Sequence, residues 1–359
     1  MPTGVVNEAY QQVCSRIQQA KTTSELLQIH DEMPRYIQIC FLQTKEPGAV
    51  TCQKISDWHD QMIQKVIADV QCTIQAEIGC DLPSYSWVLF GSWARQETTF
   101  YTDQDNGLIY EYPVGSREEE VDTWFEKFAN QVVQNLVEVG YPLCDGNVMA
   151  SNHRWRGSIA TWKKQLAEWL DVNSSRTQRL FMIAADMRHV YGQHQLAYEL
   201  ENYMISLVKK EQHFLLNAAH ANANLKLPIS WWGYWYKERY GAYANHINVK
   251  RGGYIQLIGV VKILSFYYAI TAKSTRDRLK QIGHLNAQLQ DNLDFLLTIR
   301  LRQHVYDFEH GKTPTNYILP ASLEKNEERL WKKHLKSIRR LQKYAIQIIS
   351  QKGLEDNGS

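Results

Sequence analysis

Apolar residues in this chain of 359 residues recur mostly at the three-to-four spacing of helices, and in two places they close up into short continuous runs. The clearest helical face is Ile55, Trp58, Met62, Val66, Val70, Ile74 and Ile78, with Gly79 as its natural stop. Upstream, Tyr10, Val13 and Ile17 share a face, and Thr22 with Glu25 makes a capping-box pattern leading into Leu26, Ile29 and Met33. Pro34 is expected to break or restart that helix, because it has no N–H and its ring crowds the preceding turn. Residues 1–80 read as a helical region that packs against the domain beyond it; a partner-binding module is the alternative.

The continuous runs are different. Trp87, Val88, Leu89 and Phe90 read as a buried strand that stops at Gly91-Ser92, and residues 105–110, ending in Leu108, Ile109 and Tyr110, read as a second. A helix comes next over 117–139 with Val121, Trp124, Phe128, Val132 and Leu136 inward and Glu118 to Glu120 in its first turn, where they suit the helix dipole. Residues 141–149 read as strand and turn, and Trp162, Leu166, Trp169 and Leu170 as another helix face. From about residue 193 the pattern is helical throughout, with faces at Leu196, Leu200, Met204, Leu207 and Val208 and at Leu285, Leu289, Leu293, Leu296, Leu297 and Leu301. A final helix over 323–349 turns Leu330, Leu335, Ile338, Leu341, Ala345 and Ile348 inward. The expected organisation is α+β: a helical region 1–80, a catalytic domain 81–192, a C-terminal helical domain 193–352 and a frayed tail 353–359.

Charge narrows the partners. With 40 basic and 38 acidic residues the net charge is +2, which gives no electrostatic reason to expect nucleic acid or an anionic membrane. Six cysteines without C-x-x-C spacing read as reduced thiols. The N-terminus lacks a signal pattern, and the longest apolar tract, 255–270, is short and contains Lys262, so a cytoplasmic enzyme without a membrane span is expected.

Chemistry concentrates in residues 86–111. Side chains alternate across an extended segment, so Asp103 and Asp105 emerge on one face, roughly 7 Å apart at the backbone, with Gln104 on the other. Two carboxylates on one face suit Mg²⁺ (or Mn²⁺), which takes one or two protein carboxylates and completes its shell with water and substrate phosphates. Gly91-Ser92 offers N–H groups and a hydroxyl to terminal phosphates, and Arg95 a fixed positive fork. A bare D-x-D is often only a solvated turn; strand, Gly-Ser and D-x-D in combination are far more specific.

The pattern G-S-x-x-x-x-E at 91–97, then T-D-Q-D-N-x-L-I-Y at 102–110, resembles the nucleotidyltransferase fold of the DNA polymerase beta superfamily. More closely, it is similar to the DUF294 family of nucleotidyltransferases, relatives of the protein-PII uridylyltransferase catalytic domain. The resemblance resumes at 141–162, 186–192, 250–259, 296–304 and 314–320, and so covers most of the chain. It implies a polymerase-beta-like domain with a mixed sheet, flanked by helical regions. The implied reaction moves a nucleotidyl group from an NTP to an acceptor hydroxyl on a protein or small molecule, with Asp103 and Asp105 on the metals and Gly91 and Ser92 on the terminal phosphates. A catalytically silent nucleotide sensor is the competing reading.

A third carboxylate is also implied by the resemblance. Asp186 matches the family's D-x-R better than Asp145 matches any acidic position, and an ion pair of Asp186 with Arg188 is an equally good reading. Arg156 in the loop 151–158 is a possible phosphate contact, and His153 a base by residue type. The aromatic patch 230–243 could stack a base or line an acceptor cleft but is expected to anchor the helical domain on the catalytic one by packing. Lys250 and Arg251, before Gly252-Gly253, could reach a triphosphate or be a solvated helix entrance.

Overall fold

The computed structural model describes residues 3–44, 46–283 and 286–356, which fall into two compact units: the described residues up to 46 with 50–204, and 47–49 with those from 205 onward. The first unit opens with three helices, α1 (Thr3–Gln19), α2 (Thr23–Thr44) and α3 (Gly48–Ile78). Pro34 does not interrupt α2, contrary to expectation. The apolar stripe Leu26, Ile29, Met33 and Ile37 is buried on both sides of it, and that burial offsets the one backbone hydrogen bond proline removes. In α3 the expected face is buried from Ile55 to Ile74, and Gly79 ends the helix at φ +73°.

The sheet is built from β1 (Tyr85–Leu89), then, after the short turn of helix α4 (Gly91–Ala94), β2 (Asn106–Tyr110), α5 (Glu118–Glu138), β3 (Arg156–Ser158), α6 (Ile159–Val172), α7 (Ser175–Ala184), β4 (Arg188–Gly192) and α8 (His194–Lys210). Its order is β3-β2-β1-β4, with β2 and β4 antiparallel to β1 and β3 parallel to β2, so the sheet is mixed and the class is α+β. All residues of β1 and β2 are buried, which explains why both read as unbroken apolar runs. On one face, Tyr85, Trp87 and Tyr110 meet Phe125 and Phe128 of α5. Across the sheet, Phe90 meets Trp155 and Trp162. Residues 141–149 form turns and no strand. The strands β3 and β4 instead complete the sheet; β3 has only three residues, and β4, although as long as β1, lacks the apolar run that marks a strand in sequence.

The second unit contains α9 (Gln212–Ala223), β5 (Ile247–Asn248), α10 (Ile255–Tyr267), α11 (Thr275–Ile282), α12 (Asn286–Glu309), β6 (Tyr317–Ile318) and α13 (Lys325–Asp356). It is not all helix: β5 pairs with β6, and residues 224–246 form an irregular ribbon. In α13 the buried register runs through Trp331, Leu335, Ile338, Leu341, Ala345 and Ile349, while Leu330 is 40% exposed. The helix continues through residue 356, beyond the expected fraying point at 353; residues 357–359 and Leu285 lie outside the described residues. Among the described residues no helix is long and apolar enough to cross a membrane.

Candidate active site

The strand β1 delivers the chain directly into the Gly-Ser turn. Phe90 is still extended, at φ −124° and ψ 177°, and its N–H donates to the Asp105 carbonyl at 3.0 Å. That bond lays the D-x-D segment beside the turn. Gly91 then takes φ +58°, and a Cβ placed on it would lie 2.7 Å from Asp105 Oδ2, so the carboxylate rests against a surface only glycine can provide. Gly91 and Ser92 are half-buried, and no described residue accepts a hydrogen bond from their N–H groups.

Asp103 and Asp105 are both half-buried, and Gln104 between them is fully buried. Gln104 Nε2 donates to the carbonyls of Val133 at 3.1 Å and Tyr141 at 3.0 Å, while its Oε1 accepts from Asn106 Nδ2 at 3.2 Å. The segment therefore keeps a strand's alternation although it precedes β2: the amide is the anchor, and the two acids emerge opposite to it. The loop 142–148 closes the far side, through Gln104 N–H to Pro142 O and Asn106 N–H to Val148 O, each 3.0 Å. Cys144 in that loop flanks the acids. Burial first, and then the charges of Asp105 and Asp103, push its thiol up to about 12.

Beneath the turn the supporting side chains come from distant elements. Arg188 on β4 donates to the Ala94 and Trp93 carbonyls at 3.0 and 2.9 Å, satisfying the C-terminal end of α4, and grips Asp60 of α3 bidentately at 2.8 and 2.9 Å. Trp93 is buried, stacks on His59 and donates from Nε1 to Thr102 Oγ1 at 2.7 Å. His59 Nε2 lies 3.1 Å from the Thr99 carbonyl, which can only accept, so Nε2 carries the proton and Nδ1 accepts from the Tyr141 hydroxyl at 2.7 Å. Burial, aided by neighbouring His30, lowers the His59 pKa to about 3.

The remaining residues that stand out in the sequence have different surroundings. Arg95 is buried and pairs with Glu97 at 2.9 Å and with Asp186, itself 1% exposed. The ion pair considered for Asp186 thus exists, but with Arg95 in place of Arg188. Arg156 donates to the Ala150 and Ser151 carbonyls at 2.8 and 3.0 Å and faces Glu126 at 3.4 Å. Asp145 and His153 are exposed. Lys250 belongs to the second unit, exposed, and the close approach allowed by Gly252-Gly253 is taken by Pro228 and Leu335. His59, Asp60, Trp93, Tyr141 and Cys144 carry no local signal of a part in this site; Glu97 stands within the motif without a role in the sequence reading.

Among the described residues no group of three His, Cys, Asp or Glu side chains converges as a metal cluster. The donor set still fits Mg²⁺, which needs only one or two protein carboxylates when substrate phosphates supply the rest, and the cradle between Gly91 and Asp105 brings the Gly-Ser turn to the carboxylate. Two family models match the chain: "Putative nucleotidyltransferase DUF294" over residues 31–176 and "Putative nucleotidyltransferase substrate binding domain" over residues 212–348. No curated protein matches it.

Proposed function

Because the chain belongs to the DUF294 family of nucleotidyltransferases, we propose that it transfers a nucleoside monophosphate from an NTP to an acceptor hydroxyl in a Mg²⁺-dependent (or Mn²⁺-dependent) reaction that releases pyrophosphate. The observation that carries this reading is the contact of the Asp105 carboxylate with Gly91, which sets the Gly-Ser turn and the D-x-D segment side by side. Their placement at the ends of the antiparallel pair β1 and β2 supports a polymerase-beta-like arrangement.

Mg²⁺ held by Asp103 and Asp105 together with the substrate phosphates would supply charge stabilisation to an in-line displacement at the α-phosphorus. Gly91 and Ser92 bind and orient the terminal phosphates through their N–H groups and the Ser92 hydroxyl. The pair Arg95–Asp186, with Glu97, is a positioning device: it fixes the chain that leaves α4. The likeness to uridylyltransferases favours a protein side chain as acceptor, and a small-molecule hydroxyl is the other class.

One observation favours a second reading, nucleotide sensing without turnover. Asp186, the best candidate for a third acid, is engaged by Arg95. The two readings separate in one experiment. Full-length protein is incubated with each α-³²P-labelled NTP and Mg²⁺ in extract from its native source, beside Asp105→Asn. Label transferred by the wild type alone supports the transferase and identifies base and acceptor; Mg²⁺-dependent binding of an NTP with no transfer supports the sensor.

A further inference from the structure

The second unit presents an aromatic surface that packing does not explain. Five rings within ten residues stand in solvent: Trp231 is 85% exposed, Trp232 83%, Tyr234 75%, Tyr236 63% and Tyr240 87%. Trp235 and Tyr243 of the same stretch are engaged, Trp235 against Trp331 with its Nε1 donating to Glu328, and Tyr243 stacked on Tyr317. These two rings therefore pack within the second unit itself, whereas the five in solvent do not serve as packing. Exposed rings in such density mark an interaction surface.

The ribbon that carries them is held by its own backbone. Ser230 N–H donates to Tyr234 O at 2.8 Å and Gly233 N–H to Ser230 O at 3.1 Å, which places Trp231 and Trp232 at the two central positions of a turn. Tyr236 N–H to Pro228 O at 2.9 Å, Glu238 N–H to His246 O at 2.9 Å and Asn245 N–H to Glu238 O at 2.8 Å continue the lacing. The rings are thus displayed from a hydrogen-bonded frame, which lowers the entropy lost when something stacks on them.

Beside them lies a cavity of about 710 Å³, within the range of ligand sites. Trp231 and Tyr236 line it together with Lys226, Lys237, Arg251 and Arg339, and Glu238 is the one carboxylate on the lining. All four cations are exposed, and none of them forms an ion pair among the described residues. The chain's near-zero net charge conceals this local positive excess. Cations grouped with exposed ring faces match a ligand that carries phosphates and unpaired bases; a duplex hides its base faces, and an acidic peptide has none.

We propose that this face binds single-stranded nucleic acid, its phosphates against Lys226, Lys237, Arg251 and Arg339 and its bases stacked on the exposed rings from Trp231 to Tyr240. The proposal names a ligand class for the C-terminal region, and its binding test does not depend on transfer activity. Fluorescence anisotropy of a labelled oligothymidylate is measured with the full-length Asp105→Asn protein, so that any turnover is removed from the readout. Binding should weaken with added KCl, with a log–log slope of about −0.7 for each phosphate neutralised. Trp231→Ala/Trp232→Ala should weaken it about tenfold or more, and Arg251→Glu should weaken it and make the slope shallower by about one, with thermal unfolding unchanged in both, since these side chains are exposed.

No binding at low salt, or binding indifferent to loss of the two rings, overturns the proposal. Equal competition by a polyglutamate peptide would reduce the site to anion binding, and UMP binding as tightly as the oligomer would make it a mononucleotide site; either result also overturns it. A dimer in sedimentation that the double tryptophan variant dissociates would assign the face to a second copy and overturn it as well.

Discussion

Replacing Gly91 by alanine tests the active-site reading where the site is tightest. The substitution carries two separable costs. An L-residue at φ +58° costs about 1–2 kcal/mol in backbone strain. The new methyl would also sit 2.7 Å from Asp105 Oδ2, 0.7 Å short of the 3.4 Å at which ordinary contact begins, so the carboxylate must swing away from the Gly-Ser turn. Gly79→Ala is the internal control, because at φ +73° it carries the same backbone cost with nothing within 4 Å of the added carbon. Both variants should lower the Tm by a similar amount, about 2–8 °C for a unit of this size. Only Gly91→Ala should lose Mg²⁺-dependent nucleotidyl transfer, by about a hundredfold, the penalty for misplacing a reacting group by about an ångström. The assay is transfer of labelled NTP per folded molecule, beside thermal unfolding of the two proteins. Equal transfer by Gly91→Ala and Gly79→Ala would refute the claim that the Asp105–Gly91 contact organises the site.

The supporting side chains lead to further expected outcomes. Asp186→Asn should destabilise by about 3 kcal/mol, because it leaves Arg95 buried with one charged partner fewer, yet keep transfer per folded molecule within about tenfold; complete loss of transfer at unchanged Tm would make Asp186 a reacting carboxylate. His59 makes the fold acid-sensitive. Its pKa falls from the ordinary 6.5 to about 3 on folding, so the unfolded chain takes up the proton first. The stability this group leaves intact above pH 6.5 is lost progressively down to about pH 3, by about 2 kcal/mol at pH 5. Denaturation midpoints at pH 7 and pH 5 measure this, and His59→Gln should shrink the difference by that amount while leaving the share of the other histidines lowered on folding, such as His189 and His334; a difference unchanged in His59→Gln would refute its part.

The residues that read correctly from sequence are those whose neighbours in the chain are also their partners in space. The strands β1 and β2 announce themselves because both of their faces are covered, and Asp103 and Asp105 share a side because alternation along an extended segment is a local property. The same locality misleads at Pro34, where burial of a stripe running the whole length of α2 outweighs one missing hydrogen bond. It misleads again at Leu330, where α13 buries Trp331 in its place.

Sequence by itself determined the α+β class, the Gly-Ser turn and the paired acids, because each rests on spacing within a few residues, and the family, because its motifs recur along most of the chain. Tertiary structure alone decided which charges oppose which. Arg95 reaches Asp186 and Arg188 reaches Asp60 across 91 and 128 residues of chain, distances over which no local pattern can specify a partner. It likewise decided that five rings of the stretch 230–243 face water and that cations gather beside them, since a net charge of +2 records only a sum and not where on the surface its parts lie.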